Sequence, residues 1–184
     1  YGYGKGLNLG AGVAQGKYLL LVNPDTKFTA DSIKYLLDKI ESDSKIGVIG
    51  PQLIDEKGEI LQSISGMPYL PKALIIFSFI GKIWPHNPIL KEYHNLNLDR
   101  NNEQYVDVIG GACLLIRKSL FNDIGGFDER FFAYLEDVDL FLRAKKKGYK
   151  FGVTTNAKVT HIGQVTSSTF GYKKAFLDFR NWIY

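Results

Sequence analysis

The sequence predicts an α/β fold. Three observations carry this: a continuous apolar run of strand length, Tyr18-Leu19-Leu20-Leu21-Val22; apolar residues at helical spacing, Ile33, Leu36, Leu37 and Ile40; and a second apolar strand, Ile46-Gly47-Val48-Ile49. Runs that are continuous rather than alternating mark strands buried on both faces. Strand, helix and strand in that order imply a sheet joined by right-handed crossovers. At 184 residues, 45% hydrophobic and 23% charged, the chain holds enough for one soluble domain with a sizeable core.

The elements follow from local chemistry. Residues 1–16 are glycine-rich and predict a short helix over residues 7–14. The first strand stops at Asn23-Pro24-Asp25-Thr26, a loop by its turn residues. Thr29 or Asp31 caps the following helix. Asp55-Glu56-Lys57-Gly58 turns between short strands around Leu53 and Ile60. Residues 68–88 hold four of the six prolines around the eight-residue apolar run Ala73-Leu74-Ile75-Ile76-Phe77-Ser78-Phe79-Ile80. That run is too short to span a bilayer. Two readings stay open for it: a buried helix or lid, and a surface element touching lipid or a hydrophobic acceptor. Residues 95–104 are polar and read as loop. Tyr105-Val106-Asp107-Val108-Ile109, the pair Gly110-Gly111, and residues 112–117 read as strand, glycine break, strand. A helix over residues 136–147 has its acids in the first turn, Lys145, Lys146 and Lys147 in the last, and Gly148 as terminator. Residues 151–161 predict two short strands, and Tyr172, Phe176, Phe179 and Ile183 stripe a closing helix. The chain opens on Tyr1 rather than Met and ends inside a helical pattern, so a piece of a longer protein is expected.

Composition narrows the function classes. A net charge of +4 suits phosphate-bearing ligands or an anionic membrane surface but falls far short of a nucleic-acid binder. The one cysteine, Cys113, lies in an apolar run; it reads as core, with no intrachain disulfide framework and a reducing compartment. No signal-peptide pattern is visible.

Three places carry candidate chemistry. Glu136, Asp137 and Asp139 crowd together behind Gly125-Gly126 and a group of Phe and Tyr residues, which suits a site handling protons or cations. The competing reading is plain helix stabilisation, since acids in a first turn gain about 0.3–1 kcal/mol from the dipole. On a helix Glu136, Asp139 and Arg143 share a face, and Asp137 is rotated off it. Asp25 follows the carboxyl end of a buried strand, where open α/β sheets bind ligands, and offers hard oxygens to Mg²⁺ or Mn²⁺ carrying a diphosphate; a simple Asx or proline turn is the alternative. His161 ends a strand-like segment before a Gly/Ser/Thr-rich stretch fit to close over a ligand, and reads either as structural or as a ligand. Gly4-Lys5-Gly6 with Gly10 mimics a dinucleotide fingerprint, but no strand precedes it. His86 and His94 have no partner spacing that indicates a metal site.

In order along the chain, Asn8-Leu9-Gly10, the strand ending in Asn23-Pro24-Asp25-Thr26, Gly110-Gly111-Ala112 with Leu115-Ile116-Arg117, Gly125-Gly126-Phe127-Asp128-Glu129, Glu136-Asp137-Val138-Asp139-Leu140 and His161 resemble the family 2 glycosyltransferases. The nearest branch is the rhamnosyltransferase-like enzymes of bacterial surface polysaccharide synthesis. The resemblance implies a single domain over residues 1–184 with a GT-A fold: a mostly parallel central sheet flanked by helices. It implies transfer with inversion from a nucleotide-diphosphate sugar, rhamnose by the branch, to a glycan or lipid-linked acceptor, with Mg²⁺ or Mn²⁺ as cofactor. By position it makes Asp25 a metal and diphosphate ligand, with Asn23 where the family has a first acid, and His161 a second metal ligand. It makes Asp137 the general base, with Glu136 beside it, and puts Asn8, Asn23, Gly110 and Gly111 at the substrates. A cytoplasmic location at the inner face of the membrane, with peripheral membrane contact, goes with such an acceptor. In this family the strands that hold the nucleobase precede the Asn-x-Gly segment, so a partial domain lacking them, and binding donor weakly by itself, is expected. The competing readings are a noncatalytic carbohydrate-binding domain of the same fold and an unrelated metal-dependent phosphohydrolase.

Overall fold

The apolar runs become neighbouring strands of one sheet. The computed structural model describes residues 2–69, 72, 75, 83–162, 180 and 181. Strands β1 (Tyr18–Val22), β2 (Thr26–Lys27), β3 (Ile46–Ile54), β5 (Gln104–Val106), β7 (Cys113–Arg117) and β8 (Lys150–His161) form the main sheet, in the order β1-β7-β3-β8-β2 with β5 also on β8. β4 (Ile64–Ser65) and β6 (Val108–Ile109) make a separate two-stranded ribbon. The helices among the described residues include α1 (Tyr3–Val13), α2 (Ala30–Ser42), α3 (Pro88–Tyr93), α4 (Lys118–Asp123) and α5 (Glu136–Lys146).

β3 is buried along its first eight residues, as a strand covered on both faces must be. It runs parallel to β8 and antiparallel to β7. β7 is antiparallel to β1 as well. β1 and β3 are therefore parallel to each other, joined through α2 as the strand–helix–strand order predicts, with β7 inserted between them. The sheet is mixed for that reason: its long β3–β8 pair is parallel, and its other ladders are antiparallel. Residues 150–161 form one strand rather than two. The break lies in register, where Pro51 pairs with Thr154 but Gln52 with Lys158, and Ser32 Oγ on α2 donates to the Lys158 carbonyl at 2.8 Å.

The two faces of the sheet bury different side chains. Leu36 and Ile40 of α2 pack on Ile46, Ile49 and Leu115. Opposite, Leu120 and Phe121 of α4 and Leu140, Phe141 and Ala144 of α5 pack on Val48, Ile116 and Phe151. Each large side chain so buried contributes about 1.5–3 kcal/mol. Thr29 caps α2, accepting from the Ser32 N–H, and Gly148, at φ +84, ends α5 as expected. Cys113 is core, 1% exposed, and burial pushes its thiol up to about 12. The short helices α3 and α4 were not predicted: each is a turn and a half, too short to show a stripe. Most of the 73–80 run and the predicted closing-helix residues Tyr172, Phe176, Phe179 and Ile183 lie outside the described residues. Among the described residues no helix is long and apolar enough to cross a membrane.

Asn8 joins the two ends of the fold. Its Oδ1 accepts from the Phe127 N–H and its Nδ2 donates to the Phe127 carbonyl, both at 2.9 Å, pairing as a strand neighbour would. Gly126 permits this twice over. Its φ is +70, and a Cβ there would lie 2.6 Å from Asn8 Oδ1. Asn8→Ala should remove about 1–3 kcal/mol of stability, because it leaves the Phe127 backbone unpaired in a partly buried place. Urea unfolding measures this, and a change below about 0.5 kcal/mol would show that the clamp contributes nothing.

Candidate active site

Asp25 and His161 are far apart in sequence but adjacent in space. β2 pairs with the end of β8 so that Thr26 faces His161, and the Ile162 N–H donates to the Asp25 carbonyl at 2.9 Å. This register brings His161 Nε2 to 3.3 Å from Asp25 Oδ1. Two ligands on one divalent ion, each bound at about 2.0–2.2 Å, lie about 3.0–3.5 Å apart. The pair thus fits a cation as two of its ligands, although an imidazole–carboxylate contact has the same spacing. Among the described residues no group of three or more His, Cys, Asp and Glu side chains is placed to hold a metal ion.

The loop that carries Asp25 is held against the glycine pair. The β1–β7 ladder ends at Val22 opposite Cys113, and one further bond, Asn23 N–H to the Ala112 carbonyl at 2.9 Å, continues it. Tyr3 closes the gap. Its hydroxyl lies 2.8 Å from Asn23 Oδ1 and 2.9 Å from the Gly111 carbonyl oxygen. Burial raises the Tyr3 pKa, and the negative charges of Glu136, Asp137 and Asp25 add to it, so this phenol sits between the two groups of acids. On the other side the Gly111 N–H faces Asp137 and works against the burial that raises its pKa. Tyr3 thus joins Asn23 of the Asp25 loop to Gly111, whose N–H faces Asp137 in the first turn of α5.

A cleft of about 350 Å³ opens at α5. Residues 62–65, Tyr93 and His94 wall one side, residues 134–138 the other, and Val108 and Gly110 line it between them. Neither Gly110 nor Gly111 has a positive φ. A Cβ at Gly110 would come no nearer than 3.4 Å to Ser63 O, and one at Gly111 would make ordinary 3.8 Å contact with Tyr3. The protein's own packing thus does not demand glycine there. The three acids divide their tasks. Asp139 pairs with Arg143 at 2.5 Å, and Arg143 Nη1 donates to the Gly126 carbonyl at 2.7 Å, so Asp139 fixes the glycine turn. Asp137 accepts from the Val138 N–H at 2.8 Å; burial raises its pKa, opposed by its N–H partners. Glu136 was expected to share the Asp139–Arg143 face, yet it is 8% exposed and its Oε2 has no hydrogen-bond partner. Desolvation first, and the Asp137 charge second, push its pKa up to about 7.

Tyr134 and Leu135, just before these acids, both hold left-handed backbone at φ +68 and +65, a conformation costing a non-glycine residue about 1–2 kcal/mol. The structure thus brings together Asn23, Asp25 and His161, and links them to Gly110, Gly111, Glu136 and Asp137. Asn8 is elsewhere: both of its side-chain polar atoms are bonded to Phe127, and it does not line the cleft. Tyr3 was missed, because a tyrosine in a glycine-rich segment carries no sign of a partner 108 positions away.

A model of the family described as "Glycosyltransferase like family 2" matches residues 1–184. The chain is 36% identical over 144 residues to the N-acetylglucosaminyl-diphospho-decaprenol L-rhamnosyltransferase of Mycobacterium tuberculosis, covering 78% of this chain and 46% of that one. It is 26% identical over 183 residues to the rhamnosyltransferase WbbL of Escherichia coli, covering 96% and 66% respectively. The chain thus spans about half the length of the Mycobacterium relative. In fold it is similar to GalNAc-T7, solved with UDP, GalNAc and Mn²⁺ (TM-score 0.61, 15% identity, 90% of this chain and 31% of that one). It is likewise similar to a mannosyltransferase of Pyrobaculum calidifontis solved with GDP-Man and Mn²⁺ (TM-score 0.57, 12% identity, 94% and 40%).

Glu136 ties stability to pH. The unfolded chain releases this proton near pH 4.5 and the folded chain only near 7, so the stability it contributes is complete below pH 4.5 and is lost as pH rises through about 7. Glu136→Gln removes the titration. Its stability relative to the parent should rise by about 3 kcal/mol between pH 4.5 and pH 8, read by urea unfolding. A difference that stays flat across that range would mean Glu136 is not held protonated.

Proposed function

This chain belongs to the glycosyltransferase like family 2 and has the GT-A fold, and from that premise we propose that it forms the acceptor and catalytic side of an inverting, metal-dependent glycosyltransferase. The donor in this reading is a nucleotide-diphosphate sugar and the acceptor a hydroxyl of a glycan or lipid-linked glycan. Rhamnose is the sugar that the rhamnosyltransferase relatives support. Surface polysaccharide synthesis at the cytoplasmic face of a membrane is the setting that accords with the lipid-linked substrate in the mycobacterial relative's name. The observation that carries the proposal is that Tyr3 ties the Asp25 loop to the glycine pair, whose Gly111 N–H faces Asp137 beside an open cleft.

The acceptor hydroxyl attacks the anomeric carbon from the face opposite the leaving diphosphate, and Asp137 takes its proton as the new C–O bond forms. Position matters more than basicity, since that proton becomes acidic only as bonding develops. Desolvation first and the Asp137 charge second push the Glu136 pKa up to about 7, so below that pH Glu136 has a hydrogen to donate to an acceptor oxygen. Gly110 presents bare backbone to the cleft, where a sugar ring can approach. Asp25 and His161 would hold Mg²⁺ or Mn²⁺, whose charge offsets that developing on the leaving diphosphate. Asn23, neutral where the family pattern has an acid, holds the loop through Tyr3 without adding charge.

Two variants test this in the full-length protein with nucleotide-sugar donors and an acceptor panel. Asp137→Asn should lower kcat by about 10²–10⁴-fold with little change in donor affinity; transfer at the parent rate would overturn the assignment. Asp25→Asn should weaken Mn²⁺ binding, followed by calorimetry with donor present, while thermal stability changes little; unaltered Mn²⁺ affinity would exclude Asp25 as a ligand. Release of inorganic phosphate without acceptor would favour a phosphohydrolase, and glycan binding without turnover a noncatalytic domain.

A further inference from the structure

The left-handed pair Tyr134-Leu135 needs something to hold it, and the structure supplies one side chain placed to do so. Asn181 is 3% exposed. Its Nδ2 donates to the carbonyl oxygens of both Ala133 and Tyr134, each at 2.7 Å. Its Oδ1 accepts from Arg180 Nε at 3.1 Å and Nη2 at 2.8 Å. The orientation of this amide is fixed by chemistry: turned over, its oxygen would face two carbonyl oxygens and its NH₂ a guanidinium. Arg180 also donates to the Arg130 carbonyl at 3.3 Å, fastening the same loop at a second point.

What this turn controls is the direction of the acids. A helix ordinarily begins from an extended residue whose side chain caps it. α5 instead begins from Leu135, left-handed and without a side-chain cap, and its first two helical residues are Glu136 and Asp137. If Tyr134 and Leu135 relaxed to negative φ, the first turn of α5 would leave the chain in another direction and Asp137 would move away from Gly111. Strained backbone persists only where its surroundings over-determine it. Two short hydrogen bonds from Asn181 to the carbonyls of Ala133 and Tyr134 do so here.

We propose that Asn181 is a positioning residue for the sugar-transfer site, whose two hydrogen bonds hold the left-handed Tyr134-Leu135 turn and so aim Asp137 into the cleft. This rests on Asp137 being the base, as proposed above. Asn181 touches no substrate in this role.

The test is Asn181→Asp in the full-length protein, which keeps the volume, removes both donors and leaves the new carboxylate to pair with Arg180, together with the double variant Asn181→Asp/Leu135→Gly. Glycine adopts positive φ without strain, so it should restore the turn without the clamp. In Asn181→Asp, kcat should fall about 100-fold, as misplacement by about 1 Å does, with the donor KM within about threefold. The double variant should regain at least tenfold of the loss. Amide exchange gives a reading independent of turnover: the Val138 and Asp139 N–H groups should exchange at least tenfold faster in the single variant and return toward the parent in the double. Parent-like kcat and exchange in Asn181→Asp, or no recovery with glycine in either readout, would overturn the proposal. If the parent protein transfers no sugar, the reading of Asp137 fails, and amide exchange alone then decides whether Asn181 holds the turn.

Discussion

The site depends on one constraint, the register of β7 between β1 and β3. Because Val22 faces Cys113, the residues just beyond each strand, Asn23 and Ala112, meet at the same edge of the sheet and bond once more. A slip of one residue would exchange the side chains that β1 and β7 present to the two faces of the sheet. It would also separate the Asp25 loop from the glycine pair. The burial of Leu19, Leu21, Leu114 and Ile116 therefore does more than stabilise a sheet: it fixes the distance between two loops whose own interactions are few.

On that frame, polar groups are buried in an unequal way. Asp139 has its guanidinium partner, Asp25 its imidazole, and Tyr3 two acceptors. Glu136 has an oxygen with none. Stability alone would favour pairing or replacing such a group, since a buried polar atom without a partner costs about 1–3 kcal/mol. The same corner contains two left-handed non-glycine residues. Desolvated acid and strained backbone together, at the rim of a cleft, are what a site arranged for a ligand rather than for stability looks like.

The three acids of the first turn show how one sequence cluster yields three environments. Asp139 faces Arg143 one turn on, as helical spacing allows. Asp137, rotated away, meets the Gly111 N–H of another loop. Glu136 turns inward, where desolvation and the charge on Asp137 oppose its ionisation. A single dipole-stabilising acid would explain Asp139 or Asp137 but not the burial of Glu136. Asn8 makes the converse point: it belongs to a motif associated with substrate, yet both its polar side-chain atoms are bonded to Phe127.

By itself the sequence determined the α/β class, β1, the start of β3, α2 with its N-cap, α5 with its terminating glycine, the core positions of Leu36, Ile40 and Cys113, and the residue types at the site. These depend on periodicity, turn residues and charge within a few positions, where propensity and burial act locally. Only the tertiary structure decided that β7 enters between β1 and β3, that residues 150–161 are one strand with a register break, that Tyr3 bridges Asn23 and Gly111, that Glu136 lacks a partner, and that Asn181 clamps the turn before it. Each of those is a contact between segments tens to more than a hundred residues apart. No local pattern encodes such a contact, because its partners are chosen by how whole elements pack.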